Sequence, residues 1–291
     1  MRTADTAAML TGMEELAGRY RFWLCDIWGV VHNGIVAFAP ALDALSRFRS
    51  GGGTVVLVSN APRPSDVVIA QLAGLGVGTS HFDGIVTSGD ATRELLRARA
   101  GQAVFHLGPE RDRPLIADLP LHFTGLGEAD LVVCSGLFDD SRETAEDYDA
   151  MLTEMRDRGL DLYCANPDEV VRRGDDLIPC AGALARRYRE LGGRAILAGK
   201  PYGPIYDRAF DILAGIAGRR PERAEVLAIG DGIATDMKGA ADYGLDAVFV
   251  LGGIHGLEPG SGGARGPMTA ARIAREVPGI RLAGIIDELK W

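Results

Sequence analysis

Five residues able to do chemistry follow short apolar runs at separate places in the chain. They are Asp26, Ser59, Asn60, Lys200 and Asp231. Two carboxylates that converge in one pocket repel each other, so each tends to hold a proton unless a cation offsets the charge. Oxygen ligands without a nearby His or Cys favour Mg²⁺. A lysine with hydroxyl and backbone N–H donors suits a phosphoryl group, and a carboxylate that attacks phosphorus forms an aspartyl phosphate.

A third carboxylate, Asp236, follows Asp231 in the segment GDGIATD. It falls near the start of the next predicted helix, where it could orient the water ligands of a metal ion. Taken singly, each of these residues also has a plain structural role open to it, such as closing a turn, opening a helix or facing solvent. The functional interpretation therefore depends on all of these residues occurring together in one sequence.

Short β-branched or apolar runs alternate with helix-like stretches, which predicts βαβ units and a parallel sheet. The predicted strands are 22–26, 54–59, 83–88, 103–108, 130–135, 161–166, 224–230 and 246–252. The predicted helices lie near 5–18, 40–50, 65–74, 89–99, 142–158, 180–192, 204–217 and 235–243, and a loop is predicted over 256–267. In open parallel sheets ligands bind beyond the carboxyl ends of the strands, so the chemistry-bearing residues are expected to converge there.

The expected fold class is α/β, with a Rossmann-like three-layer parallel-sheet core and an inserted α/β cap. Residues 89–187 contribute none of the five residues and have strand and helix signals of their own. We therefore predict a core formed by 1–88 and 188–291, with 89–187 inserted as a second domain.

Composition excludes several classes of protein. The 291 residues carry 31 Lys and Arg against 40 Asp and Glu, a formal net charge of −9, so a nucleic-acid partner is not expected. The 4 cysteines are widely spaced, which argues against a zinc site or a disulfide framework. The sequence shows neither a signal peptide nor an apolar run near the ~20 residues of a membrane span, so we expect a cytoplasmic protein.

Four segments in order resemble the motifs of the haloacid dehalogenase (HAD) superfamily. They are DIWGVVHNG (26–34), SNAPRP (59–64), GKPYGPIY (199–206) and GDGIATD (230–236). The long insertion between the second and third motifs is similar to subclass IIA, the NagD-like branch with a large α/β cap. ANPDEVV (165–171) and PCAGALARRY (179–188) are similar to the cap region of that branch. The resemblance covers nearly the whole chain.

The resemblance implies a role for each matching position. It implies that Asp26 is the nucleophile and a metal ligand, and that Lys200 balances charge. The metal, Mg²⁺, would be held by Asp26, the backbone carbonyl of Trp28, Asp231 and Asp236, the last in or next to the metal shell. Phosphoryl oxygens would be held by Ser59 and the backbone of Asn60, and Asn166 and Asp168 would lie on the cap loop that faces the substrate.

One position departs from the family pattern. The hydrolytic phosphatases of this family carry a second Asp two residues after the nucleophile, as general acid and then base, and this chain has Trp28 there. An indole cannot protonate a leaving oxygen or deprotonate water, and such help is worth about 10²–10⁴-fold. We expect slow or leaving-group-selective hydrolysis, or a different reaction. His32 is the nearest titratable replacement and could act through a water, although a structural role for it is favoured.

The leading hypothesis is a Mg²⁺-dependent phosphohydrolase of a small phosphorylated metabolite, of the sugar or nucleotide phosphate type. The alternative is a protein of the same fold that binds such a metabolite with little or no turnover. Cleavage of a carbon–chlorine or carbon–phosphorus bond is disfavoured, because both acidic residues of the last motif are kept and residues 89–187 contain no Lys. A homodimer is expected from the resemblance.

Overall fold

The computed structural model describes residues 7–173, 176–252 and 265–291. The chain divides into two compact units. The first comprises Met1–Ser59, Ile69–Val86 and Tyr206–Trp291, and the second Asn60–Val68 and Thr87–Ile205. The predicted insertion at 89–187 lies inside the second unit, and the predicted domain bounds stay a prediction. The predicted loop at 256–267 lies outside the described residues, apart from 265–267, which begin a helix.

The first unit is built on a six-stranded sheet. Its strands are β1 (Phe22–Asp26), β2 (Thr54–Ser59), β3 (Gly84–Thr87), β11 (Val226–Gly230), β12 (Asp246–Val250) and β13 (Arg281–Ile286). The strand order is β13-β12-β11-β1-β2-β3, and the pairs from β13 through to β2 are parallel. Every residue of β1 and β11 is buried, as expected of strands covered on both faces. The α/β parallel-sheet fold class is thereby confirmed.

The other elements with residues in the first unit are mostly helices. The helices with residues in the first unit are α1 (Glu14–Ala17), α2 (Ala39–Ser50), α3 (Ser65–Gly74), α7 (Gly203–Ala217), α8 (Lys238–Tyr243) and α9 (Arg265–Glu276). The prediction of a helix over 5–18 was wrong for residues 8–10. Leu10 donates its backbone N–H to Ile285, and Ile285 donates to Ala8, so this segment covers the otherwise open edge of β13.

Tertiary pairing overrides the helical pattern of that N-terminal segment, which propensity alone could not show. A Cβ on Gly12 would lie 2.5 Å from the backbone of Trp291, so Gly12 packs closely against that residue. None of the helices in the described part of the chain is both long and apolar enough to cross a bilayer.

The second unit has its own parallel sheet. Its strands are β4 (Ala103–Leu107), β5 (His122–Phe123), β6 (Leu131–Cys134), β7 (Asp161–Cys164) and β10 (Arg194–Leu197), in the order β10-β7-β6-β4-β5. A hairpin of β8 (Val170–Arg173) and β9 (Asp176–Pro179) is antiparallel, and the helices are α4 (Ser88–Arg97), α5 (Asp149–Asp157) and α6 (Ala181–Glu190). Because β10 pairs with β7, this sheet extends beyond residue 187.

Alternation along the strands divides the core of the second unit into two apolar layers. Val132 and Leu162 belong to one buried cluster, which also contains Leu152 of α5 and Leu184 of α6. Their strand neighbours Val133 and Tyr163 belong to the other cluster, with Leu96 of α4. Helices therefore cover both faces of the sheet, which explains why its strands read as short apolar runs.

An aromatic stack fixes α2 against β1, the strand that ends at Asp26. The rings of Trp23 and Phe48 lie 3.7 Å apart, centroid to centroid, and are nearly parallel, with an interplanar angle of 5°. Both side chains are buried. A Cβ at Gly53 would lie 2.5 Å from the Phe48 ring, so the turn before β2 accepts only glycine without rearrangement.

We expect Phe48→Ala to lower the free energy of unfolding by about 3–5 kcal/mol, the usual effect of truncating a buried phenylalanine. The change removes the ring stacked on Trp23 and leaves a cavity beside β1. Denaturant titration followed by circular dichroism measures the loss. Phe123→Ala is the control, because that ring is 42% exposed, and it should change stability by less than about 0.5 kcal/mol. Equal effects of the two substitutions would contradict the role of the stack.

Candidate active site

Three adjacent strands of the first unit end at residues that were singled out from the sequence. Asp26 is the last residue of β1, Ser59 is the last of β2, and Asp231 directly follows β11. The chain runs from β1 to β2 on one side, while β11 lies on the other side of β1. This reversal of strand order opens a crevice at the carboxyl ends, where ligands bind in open α/β sheets.

Asp26, Asp231 and Asp236 form one carboxylate cluster. Each offers an oxygen atom, and these atoms all lie within 4.8 Å of one another. All three side chains are buried, with Asp231 only 1% exposed. The cluster is the one group of this kind found among the described residues. The sequence therefore identified three carboxylates that the fold of the first unit does bring together.

Two glycines allow Asp236 to approach the end of β11. A Cβ at Gly230 would lie 2.2 Å from Cγ of Asp236, and one at Gly232 would lie 3.0 Å from its Oδ2. The backbone N–H of Gly232 donates to that Oδ2 at 3.1 Å. Residues Ile233–Met237 form a π-helical turn, a distortion common at functional sites. The sequence analysis missed the role of these glycines, although their spacing around Asp231 was a visible signal.

The donor set fits a hard divalent cation. Three buried carboxylates at this separation repel one another strongly in a medium of low polarity. A divalent cation bound by oxygen atoms relieves that repulsion, and an all-oxygen set is the kind that Mg²⁺ takes. Asp26, Asp231 and Asp236 could hold such an ion. The proposed ligand role of the Trp28 carbonyl and the phosphoryl role of Ser59 stay predictions.

The indole of Trp28 packs within the loop that follows β1. Its ring meets the ring of His32 edge-on, with centroids 5.1 Å apart and an interplanar angle of 73°. A Cβ at Gly34 would lie 2.5 Å from Cη2 of Trp28, and Gly34 has φ +87°, a conformation that favours glycine. Trp28 thus contributes packing to this loop, and its side chain carries no proton suited to acid catalysis.

His32 does not fit the role of a replacement acid or base. Its Nδ1 accepts a hydrogen bond from the backbone N–H of Gly34 at 2.9 Å, so the proton of the neutral ring lies on Nε2. Burial lowers the pKa of His32 to about 4, so the ring is neutral near pH 7. A neutral imidazole is a very weak acid, and its basic nitrogen is already engaged. The structural role favoured from the sequence agrees with these contacts.

Four further residues singled out from the sequence are joined by hydrogen bonds within the second unit. The carboxamide of Asn60 contacts the main chain of Lys200 and the carboxylate of Asp168. Oδ1 of Asn166 accepts from the backbone N–H of Asp168 at 3.0 Å. Asn60, Asn166 and Lys200 are buried. The sequence had placed Asn166 and Asp168 on a substrate loop, and it gave no sign that Asp168 holds Asn60.

Comparison with known proteins agrees with this fold. Residues 23–121 match the family described as haloacid dehalogenase-like hydrolase, and residues 197–274 match a family described as HAD-hydrolase-like. A crystal structure of a haloacid dehalogenase-like hydrolase from Brucella suis 1330 is 47% identical, covers 85% of this chain and 91% of its own, and has a TM-score of 0.83.

Two other relatives carry functional names. The ribonucleotide monophosphatase NagD of Escherichia coli K12 is 26% identical over 238 residues, which cover 81% of this chain and 89% of the relative. A glycerol phosphate phosphatase from Mycobacterium tuberculosis, solved in complex with magnesium, is 26% identical, covers 82% of this chain and 70% of its own, and has a TM-score of 0.64.

The parallel sheet and the carboxylates clustered at its strand ends define an α/β protein with a candidate metal site. The chain belongs to the haloacid dehalogenase-like family of hydrolases, in its NagD-like branch.

We expect Gly230→Ala to abolish metal binding while the chain stays folded, because the new Cβ would displace the Asp236 carboxylate. Differential scanning fluorimetry with and without Mg²⁺ measures this, since a bound ligand raises the melting temperature by mass action. Gly215→Ala is the matched control. It lies in α7 with open space around the added Cβ, and it should keep the Mg²⁺-dependent shift. An unchanged shift in Gly230→Ala would contradict the placement of Asp236 in the metal site.

We expect His32→Asn to flatten the pH dependence of stability between about pH 6.5 and pH 4. In wild type the folded-state pKa, about 4, is below the unfolded value of ~6.5. The unfolded chain therefore binds more protons in this window, and stability falls as the pH falls. The full contribution of one such group, reached only below both pKa values, is about 3.4 kcal/mol.

Denaturant titrations of wild type and His32→Asn at pH 4.5, 5.5 and 7 measure the difference. His106, whose pKa burial also lowers to about 4, is present in both proteins and cancels in the comparison. Identical pH slopes would show that His32 is not held neutral by burial. The pH profile of any activity between pH 6 and 8 should be the same in both proteins, because the ring is neutral throughout.

Proposed function

We propose that this protein is a Mg²⁺-dependent phosphohydrolase of a small phosphorylated metabolite. The observation that carries the proposal is the cluster of three buried carboxylates at the ends of β1 and β11. The names of its relatives support the same class of substrate, since they include phosphatases of nucleotides and of glycerol phosphate. We infer a phosphate monoester of the sugar or nucleotide type as the substrate.

The proposed reaction begins at Asp26. An oxygen of its carboxylate attacks phosphorus, the bond from phosphorus to the ester oxygen breaks, and an aspartyl phosphate forms. Water then attacks this intermediate, which releases inorganic phosphate and restores the carboxylate. When bound, Mg²⁺ would offset the charge of the carboxylates and of the phosphoryl oxygens. We propose that Ser59, the backbone of Asn60 and Lys200 hold the phosphoryl oxygens and balance their charge.

The proton of the leaving group has no donor on the loop that follows Asp26. Trp28 offers an indole, and His32 is neutral with its Nδ1 engaged. We therefore propose slow hydrolysis with a preference for leaving groups of low pKa, which depart without a proton. The same observation favours the second candidate, a protein that binds a phosphorylated metabolite with little or no turnover. The substrate-facing role of Asn166 and the homodimer are not tested by these observations, and both stay predictions.

We expect Asp26→Asn to reduce phosphate release from a panel of phosphomonoesters by at least about 10³-fold, because the nucleophile is removed. The colorimetric assay for inorganic phosphate is run with Mg²⁺ and with excess EDTA, which should abolish release by the wild type. Asp43→Asn is the matched control. Asp43 pairs with Arg47 on the exposed face of α2, and its replacement should leave the rate unchanged.

Release that persists in Asp26→Asn would overturn the role of the nucleophile. Absence of release from wild type would favour the binding function, and Trp28→Asp then distinguishes the two candidates. If only the acid is missing, Trp28→Asp should raise hydrolysis by about 10²-fold or more. If the protein binds without turnover for another reason, Trp28→Asp will remain inactive while phosphomonoesters still raise the melting temperature.

A further inference from the structure

The side chain of Asn60 makes two hydrogen bonds to the main chain of Lys200. Its Oδ1 accepts a hydrogen bond from the backbone N–H of Lys200 at 2.7 Å, and its Nδ2 donates to the Lys200 carbonyl oxygen at 3.3 Å. One carboxamide thus bonds both the backbone N–H and the backbone carbonyl of Lys200, as a neighbouring strand would. Asn60 and Lys200 are both at least 95% buried, so water cannot easily take over these bonds.

Asp168 fixes which way the carboxamide points. Nδ2 of Asn60 donates its second hydrogen to Oδ1 of Asp168 at 2.8 Å. A flipped amide would place its oxygen against the Asp168 carboxylate and its NH₂ against the N–H of Lys200, which is repulsive on both sides. The observed orientation is therefore the one that chemistry permits, and the carboxylate makes the bond to Asn60 stronger than a neutral one.

Asp168 is itself held through its backbone. Its N–H donates to Oδ1 of Asn166 at 3.0 Å, and its carbonyl accepts from the N–H of Gly182, at the start of α6, at 3.0 Å. A Cβ on Gly182 would lie 2.2 Å from the carbonyl oxygen of Pro167. The loop that carries Asp168 thus lies against the first turn of a buried helix, which makes it a rigid support.

The chain before Lys200 is also shaped to fit this carboxamide. A Cβ on Gly199 would lie 2.5 Å from Oδ1 of Asn60, 2.7 Å from Oγ of Ser88 and 2.8 Å from Cδ of Pro167. Glycine at this position lets the main chain approach the carboxamide closely enough for both bonds to Lys200. Within the second unit, both hydrogens and the oxygen of the Asn60 carboxamide are therefore engaged in hydrogen bonds.

We propose that Asp168 is a positioning residue for Lys200, which it acts upon through the carboxamide of Asn60. The proposal rests on the proposed function, in which Lys200 balances the charge of the phosphoryl group. It replaces the expectation that Asp168 contacts the substrate. Since every hydrogen-bonding atom of the Asn60 carboxamide is engaged with Lys200 or Asp168, only the backbone of Asn60 is left to serve the phosphoryl group.

The test compares Asp168→Asn and Asp168→Ala with the neighbouring change Glu169→Gln. Glu169 pairs with Arg186 on an exposed surface, so its substitution controls for general disturbance of the loop. The first measurement needs no turnover. Hydrogen–deuterium exchange of a peptide that begins several residues before Gly199 and ends at Tyr206 reports the N–H of Lys200, and we expect faster exchange in both Asp168 variants and wild-type exchange in Glu169→Gln. Unchanged exchange in Asp168→Ala overturns the proposal.

The second measurement is phosphate release from two phosphomonoesters with different leaving groups. A displaced catalytic group costs about 10²-fold, so we expect Asp168→Asn to lower kcat by about 10- to 100-fold, equally for both substrates. A loss that differs more than about tenfold between them would overturn the proposal in favour of substrate contact. In a Lys200→Met background, Asp168→Asn should add less than about twofold, since coupled residues are not additive. If Asp168→Asn lowers kcat by the same factor in the Lys200→Met background as in the wild type, the proposal is also overturned.

Absence of release from the wild type would count against the proposed function alone. The exchange of the Lys200 amide would still decide between a positioning role and no such role for Asp168, because it depends on the fold and not on catalysis. Circular dichroism of each variant checks that the chain is folded. Should Asp168→Ala fail to fold, Asp168→Asn supplies the exchange result, because its amide oxygen can still accept from Asn60 and the loss of charge weakens that bond.

Discussion

The repulsion among three buried carboxylates is the constraint on which the rest of this structure depends. Asp26, Asp231 and Asp236 lie close together where water is scarce, and charged groups in such a place repel strongly. A fold can hold such a group only if a cation or protons offset the charge. The strands therefore have to hold the carboxylates in place, while the backbone leaves room for them to approach one another.

The first unit meets that requirement by two means. Adjacent parallel strands bring Asp26 and Asp231 to one edge of the sheet, and burial of all residues in β1 and β11 keeps the strands in register. Asp236 is positioned differently. It lies in the π-helical turn after the strand, and the absence of a side chain at Gly230 lets its carboxylate approach the strand end. An alanine in place of Gly230 would clash with the same carboxylate.

Much of this was predictable from the sequence, and the reasons are physical. The strands that end at Asp26 and Ser59 are continuous apolar runs, and their carboxyl ends must lie at one edge of a parallel sheet. The N-terminal segment could not be predicted, because its pairing with β13 depends on an edge that the sequence pattern does not reveal. The hydrogen bond from Asn60 to Asp168 could not be predicted either, because it joins residues that are 108 positions apart in the sequence.

The presence of Trp28 separates two tasks that the proposed function assigns to the site around Asp26. In the proposed function, the metal and the phosphoryl group are held by carboxylates, by Ser59 and Lys200 and by backbone groups, and none of these tasks uses the indole. Moving a proton to the leaving group relies on a side chain, and the loop offers an indole and a neutral imidazole whose Nδ1 is already bonded to Gly34. The proposed binding groups are therefore kept, while the side chains of this loop offer no acid for the leaving group. In the proposed function, selectivity for the leaving group follows from that imbalance, because a poor leaving group needs the proton and a good one does not.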